Sequence, residues 1–259
     1  MDINKMSFLK IKEYVNNSSE ESYRETIELL KNDNRKNVRN LSKSLSVYLE
    51  NKRKELERVR KLYEFDKNLE IKGHLAGVDE VGRGPLAGPI VAASVILDLD
   101  VEDKDLILEI NDSKKLTAHK REELSKIIIE KAKCYNIELI DKTEIDKYGI
   151  GVCNQKVLRL AAQNLEMRPD FVLSDGYAIK NVGIKNTFAI KGDSKSASIA
   201  CASIIAKVYR DDLMKRYAEE YPEYHFESNS GYGSKEHIEA IKKYGPCPIH
   251  RISFLGNIL

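Results

Sequence analysis

The chain has 259 residues, 42% of them apolar, enough to bury one good core and a small additional module. Its 43 Lys and Arg against 41 Asp and Glu leave a net charge of only +2, so the total does not demand a nucleic-acid partner and only local excesses can argue for one. No run approaches the roughly 20 apolar residues of a membrane-spanning helix, and residues 1–12 lack the unbroken apolar stretch of an export signal. Cys134, Cys153, Cys201 and Cys247 form no Cys-x-x-Cys pair. A soluble, cytoplasmic protein with reduced thiols, and neither zinc knuckle nor disulfide frame, is expected.

From about Ser18 to Asn68 there is no proline, and apolar residues recur at helical spacing (Leu29, Leu30, Val38, Leu41, Leu45, Val47, Leu49, Val59, Leu62), which predicts two or three helices. Within them Arg35, Lys36, Arg39, Lys43, Lys52, Arg53, Lys54, Arg58 and Arg60 outnumber Asp33, Glu50, Glu55 and Glu57. That excess reads either as a solvated helix face or as an arm touching phosphates, whose affinity would fall steeply with salt. Residues 1–70 are taken as a helical, locally basic extension and 71–259 as the main domain.

Beyond Glu70 strands alternate with helices. His74–Val78 is short and apolar, Ile90–Leu97 is β-rich and uncharged, and between them lies Asp79-Glu80-Val81-Gly82-Arg83-Gly84-Pro85, so the pattern is strand, tight turn, strand. In a regular strand Asp79 and Glu80 point to opposite faces, so both serve one site only if the pleat breaks, which the glycines permit. Asn111–Leu116, containing Lys114 and Lys115, precedes a helix over about 118–133, a strand over 136–140 and a helix over about 155–167. Phe171–Ser174 is a buried-strand pattern ending at Asp175-Gly176. A short strand over 188–190 leads to Gly192-Asp193, then to a long helix over about 195–220 and a last one over 234–243. Such alternation predicts an α/β fold with a mixed sheet covered by helices.

Taken singly, the acids have ordinary explanations. Asp175 could be an Asp-Gly turn residue, Asp193 a helix N-cap, and Asp79 and Glu80 turn solubilisers. Together they are acids delivered by three strand ends to one sheet edge. Unit charges about 4 Å apart repel by roughly 4 kcal/mol even at an effective dielectric near 20, so four ionised carboxylates need a cation. All-oxygen donors without cysteine or a histidine pair select hard ions, magnesium or manganese, over zinc. The spacing of the turn is not that of a dinucleotide-binding or P-loop motif, since neither Gly-x-Gly-x-x-Gly nor Gly-Lys-Ser/Thr is present there.

Gly77-Val78-Asp79-Glu80-Val81-Gly82-Arg83-Gly84, with the stretch on to Leu97, resembles the opening motif of the ribonuclease HII family, and Arg83, where ribonuclease HIII typically has lysine, favours type HII. Phe171–Gly176, Lys191–Ser196 and Ala202–Asp211 resemble the same family, and the likeness covers roughly Leu75 to Phe254. It implies a ribonuclease H-like α/β core in which Asp79, Glu80, Asp175 and Asp193 bind two metal ions, Mg2+ or Mn2+. It also implies that the backbone of Gly82, Arg83 and Gly84 meets the ribose 2′-hydroxyl, with Arg83 on a phosphate, and that Tyr232 in Gly231-Tyr232-Gly233-Ser234 packs on the following deoxyribose. Lys114 and Lys115 would approach the nucleic-acid backbone, although a solvated turn explains either as well. The implied activity is endonucleolytic hydrolysis of RNA in RNA/DNA hybrids and incision 5′ of single ribonucleotides in duplex DNA, leaving 3′-hydroxyl and 5′-phosphate ends. Ribonucleotide removal from DNA and primer processing would be its roles. Alternatives are a ribonuclease HIII-like enzyme restricted to hybrids, a hybrid-binding protein without catalysis, and, remotely, a glycoside hydrolase using paired acids. Two positions depart from the family pattern: Ser230, where some members have lysine, and Tyr177–Gly183, which lacks a proline often found there. The His250-Arg251-x-Ser253-Phe254 stretch follows the pattern without suggesting a role.

Overall fold

The protein is described from a computed structural model over residues 6–259; of the stretch 1–12 considered above, residues 1–5 lie outside the described residues. Contacts divide the chain into two units, Met1–Arg58 and Val59–Leu259. The first is helical, with α1 (Phe8–Asn17), α2 (Tyr23–Leu30) and most of α3 (Lys36–Lys67). Ser7 Oγ accepts the Lys10 N–H and caps α1, supplying one of the acceptors that a helix start lacks. The link from α2 to α3 is fixed by Asp33, whose carboxylate takes Nε and Nη2 of Arg35 at 2.8 and 2.6 Å. Ile11, Val15, Leu30, Val38 and Leu45 form this unit's core. Along α3, Arg53 pairs with Glu50 and Glu57, Lys54 with Glu50, and Arg58 with Glu55, so part of the basic excess is balanced on the helix itself.

The second unit holds a five-stranded sheet: β1 (Leu75–Val81), β2 (Ile90–Ile96), β3 (Cys134–Ile140), β4 (Phe171–Asp175) and β5 (Lys185–Ala189), in the order β3-β2-β1-β4-β5. β2 is antiparallel to β1 and to β3, whereas β1–β4 and β4–β5 are parallel, so the expected mixed sheet is present. The remaining helices are α4 (Ala118–Lys131), α5 (Lys142–Tyr148), α6 (Ile150–Gln163), α7 (Ala197–Glu220), α8 (Phe226–Asn229) and α9 (Lys235–Tyr244).

Both faces of the central strands are covered, and that is why β2 carries no charge and is buried at every position. Ala76, Val78, Ile90, Ala92 and Ile96 pack with Val157, Leu158 and Ala161 of α6 on one face. Leu75 and Leu173 meet Ile199 of α7 on the other. Residues 197–206 of α7 are all buried, and a β-carbon on Gly77 would overlap the backbone of Ser198 and Ile199, so the glycine lets this helix cross β1 closely. Among the described residues no helix is long and apolar enough to cross a membrane.

Candidate active site

Parallel pairing places Val78 opposite Ser174, so the next residues, Asp79 and Asp175, emerge side by side at the ends of neighbouring strands. The pleat stays regular, with β1 paired through Val81, Asp79 opposite Ala93 and Glu80 opposite Ala92, yet both acids feel the charge of Asp175, so they border one edge without the break that sharing a site was taken to need. Regular hydrogen bonding to β2 holds the alternation, and the glycines lie beyond it. Asp79 therefore points to the α7 face, beside Ser203, and Glu80 to the α6 face, where its Oε1 accepts the Tyr177 hydroxyl at 2.8 Å. Asp193 lies in a 3-10 turn over Gly192–Ser194. It does not cap α7, because Ser196 Oγ accepts the Ile199 N–H and fills that post. Asp175 ties the end of β4 to that turn through its Oδ1, which accepts the Gly192 N–H at 2.6 Å.

The acids disturb one another. Burial first, then the charges of Glu80 and Asp175, push Asp79 well above the usual carboxylate range against the pull of Ser203. Glu80 is raised chiefly by burial and further by Asp175, while Tyr177 and Arg83 oppose the shift. Asp193 is pushed up to about 6 by burial, by Asp112 and by Asp175, with Lys114 opposing. Such a set, short of positive charge and made only of oxygen donors, suits a hard divalent cation. Among the described residues no three His, Cys, Asp or Glu side chains already surround one point at coordinating distance. The donors fit an ion by chemistry and by charge, and closing on one would draw them inward.

The turn after β1 divides into a buried and an exposed half. Gly82 is buried with φ +94°, and a β-carbon there would overlap Arg210 Nε and approach Pro89 O to 2.8 Å. Gly84 is exposed, and the sole neighbour a β-carbon would meet within 4 Å is Cε1 of Tyr232, at 3.8 Å. The glycine turn and the tyrosine ring are thus adjacent. Arg83 is exposed, 3.7 Å from Glu80 and with its guanidinium 5.6 Å from the Tyr177 ring centroid. Lys114 lies near Asp193, and Lys115, largely exposed, reaches Asp112 at 3.8 Å.

Three neighbours of the acids escaped sequence reasoning. Asp112 crowds Asp193, Ser203 supports Asp79, and Tyr177, itself hydrogen-bonded by Asn154 Nδ2, holds Glu80. The prior signals were Asp112's place beside Lys114 and Lys115, Ser203's within the Ala202–Asp211 stretch and Tyr177's in the segment that departs from the family pattern, none of which assigned a role. Behind Tyr232 lies a buried chain of rings. The Cys247 N–H can only donate to His250 Nδ1, so the proton of His250 sits on Nε2 and goes to His237 Nε2 at 3.0 Å. His237 Nδ1 in turn donates to the Tyr232 carbonyl at 2.8 Å. Burial lowers both histidines, His250 to about 4, which keeps this ordered chain neutral.

The family model described as Ribonuclease HII matches residues 76–256, and the one described as Ribonuclease HII N-terminal domain matches 9–70. The chain belongs to the ribonuclease HII family. It is similar to the ribonuclease HII of Clostridium acetobutylicum, 57% identical over 98% of this chain and 100% of that protein, and to that of Clostridium beijerinckii, 55% identical over 100% and 98%. Among solved structures it resembles the ribonuclease H2 of Pyrococcus horikoshii OT3, with 29% identity and a TM-score of 0.59 over 69% of this chain and 92% of that one. As a ribonuclease HII family member the protein is a ribonuclease H, a nuclease of the hydrolase class. The hybrid-binding and glycosidase alternatives fall away, and type HII stands over HIII. The first seventy residues, which no motif assigned, are largely covered by the family's own N-terminal domain.

Proposed function

We propose that this member of the ribonuclease HII family hydrolyses RNA in RNA/DNA hybrids and incises duplex DNA 5′ of a single ribonucleotide, leaving 3′-hydroxyl and 5′-phosphate ends. The observation that carries this reading is the adjacency of two features: the carboxylates at the ends of β1 and β4, and a glycine turn whose open side faces Tyr232. The first suits phosphate chemistry and the second suits sugar recognition, since a 2′-hydroxyl is what separates RNA from DNA.

Asp79, Glu80, Asp175 and Asp193 would hold a pair of divalent cations, Mg2+ or Mn2+, in a two-metal-ion arrangement. When bound, such ions supply Lewis-acid stabilisation of charge developing on the scissile phosphate and a stronger nucleophile from water. The chain's own residues do the rest. Tyr177 holds Glu80 in one rotamer, and the Gly192 N–H fixes one oxygen of Asp175. Arg83 projects a guanidinium able to clamp a phosphate in a charge-assisted pair. The amides of Arg83 and Gly84 face the sugar, and the Tyr232 ring packs against the next one, where an added 2′-hydroxyl would disturb the contact. Lys114 and Lys115 add positive charge along the phosphate path. No side chain is required as a covalent nucleophile.

Removal of ribonucleotides from DNA, processing of primer RNA and a cytoplasmic location are part of the same proposal. The last is supported by four buried free thiols, as a reducing compartment maintains them. The test is end-group analysis of a labelled RNA/DNA hybrid after digestion, together with binding by Asp79→Asn. The proposal expects 3′-hydroxyl and 5′-phosphate products from the native protein, and from the variant retained binding without turnover. Cyclic or 3′-phosphate ends, or undiminished turnover by the variant, would refute it.

A further inference from the structure

Arg251 is fully buried, yet every hydrogen bond of its guanidinium goes to backbone. Nε donates to Gly88 O at 2.9 Å, Nη1 to Arg83 O at 3.0 Å and Nη2 to Gly82 O at 2.6 Å. Among the described residues no carboxylate lies within ion-pair distance of it, and the Phe254 ring lies under the guanidinium, 5.2 Å from its carbon to the ring centroid. Burial, with Arg210 next to it, lowers the group to about 10, so it stays charged at neutral pH. A buried charge with no carboxylate partner is costly, and an apolar side chain would fill the space without that cost. Its presence points to something only a three-pronged donor can do.

The peptide geometry shows what that is. A trans peptide sets its C=O and the following N–H on opposite sides of the chain. With Gly82 O turned in to Arg251, the Arg83 N–H is turned away. With Arg83 O turned in, the Gly84 N–H is turned away as well. Both residues are exposed, and among the described residues neither amide has a protein acceptor. Donation from a cation to each carbonyl also polarises the peptide and strengthens its N–H as a donor. The arginine is itself anchored: its own N–H donates to Leu86 O at 2.8 Å, and the next two residues are held by Asp146, which accepts Ile252 N–H at 3.1 Å and Ser253 N–H at 2.9 Å.

We infer that Arg251 is the positioning residue that presets the Arg83 and Gly84 amides for the ribose 2′-hydroxyl, and so determines discrimination of RNA from DNA without touching the substrate. This rests on the reading of the turn as the sugar sensor given above. Arg210, equally buried, takes the carbonyls of Pro89, Ala87 and Ser230 instead, so the sensing peptides belong to Arg251 alone.

The test measures dissociation constants, in chelator to prevent cleavage, for a DNA duplex with one ribonucleotide and for the same duplex all in DNA. The native protein, Arg251→Lys and Arg251→Met are compared, with thermal unfolding of each. The native protein is expected to prefer the ribonucleotide duplex. In Arg251→Lys, which keeps the charge and loses the fork, the preference is expected to fall by about tenfold, while affinity for all-DNA duplex changes less than about threefold. A native protein with no preference sinks the sugar-sensor reading and this inference with it. A native preference that persists undiminished in a folded variant overturns the inference alone. Should Arg251→Met fail to fold, Arg251→Lys carries the test. Should both fail, native Arg83 and Gly84 amide resonances decide it: a shift with the ribonucleotide duplex but not with DNA supports preset amides, and equal shifts contradict them.

Discussion

Tyr177 and Glu80, 97 residues apart in sequence, are joined by a 2.8 Å hydrogen bond from the phenol to Oε1, at the point where the α6 face of the sheet meets the open edge. Burial and then the charge of Glu80 raise Tyr177 above its usual range, so it remains a donor at any working pH. Tyr177→Phe is therefore expected to leave the fold intact and lower kcat/KM about tenfold, the scale of one hydrogen bond to a charged group. Steady-state cleavage of a hybrid checks this, and unchanged kinetics would remove Tyr177 from the site.

The two glycines of the turn should fail differently. Gly82→Ala forces a β-carbon against Arg210 at a φ of +94°, so it is expected to cost about 1–3 kcal/mol of stability. Gly84→Ala meets only the edge of Tyr232, so stability should hold while activity on a ribonucleotide falls by at least about tenfold from the obstructed sugar. Denaturant unfolding beside cleavage rates separates the two, and equal stability losses would contradict the assignment of Gly84 to substrate.

Asp66 gives the second unit a pH dependence of unusual sign. Its Oδ2 accepts the Ser198 N–H at 2.9 Å at the start of α7, and its buried Oδ1 has no hydrogen-bond partner. Burial pushes it up to about 6 from 3.8, although the hydroxyls of Ser196 and Ser198 and the helix amides pull the other way. An acid weakened by folding favours the folded state most fully below its unfolded pKa, and that contribution is lost as pH rises through 6. Asp66→Asn removes the titration, so variant minus native stability should grow by up to about 3 kcal/mol between pH 4 and pH 8. Urea unfolding at both pH values checks it, and a constant difference would contradict the account.

The acid positions were legible because each stands where a β-rich run stops at glycine, and the sheet order then makes two of those stops neighbours. The continuous pleat at Asp79 and Glu80 was not, since pairing with Ala93 and Ala92 is a property of β2 and not of the turn. Asp193 carried a competing reading as a cap because any aspartate before a helix does, and only the structure shows Ser196 in that role. The short strand expected over 188–190 is Lys185–Ala189, its start hidden by polar residues on an edge strand. Asp112, Tyr177 and Arg251 were silent for one reason: whether a polar side chain is buried, and against what, depends on distant chain.

The most direct measurement is cleavage of a labelled DNA duplex carrying one ribonucleotide, with Mg2+ or Mn2+ and with chelator. The account predicts a single cut 5′ of the ribonucleotide in either metal, none in chelator, and none in the matched all-DNA duplex. Cleavage that persists in chelator, or that ignores the ribonucleotide, would contradict it.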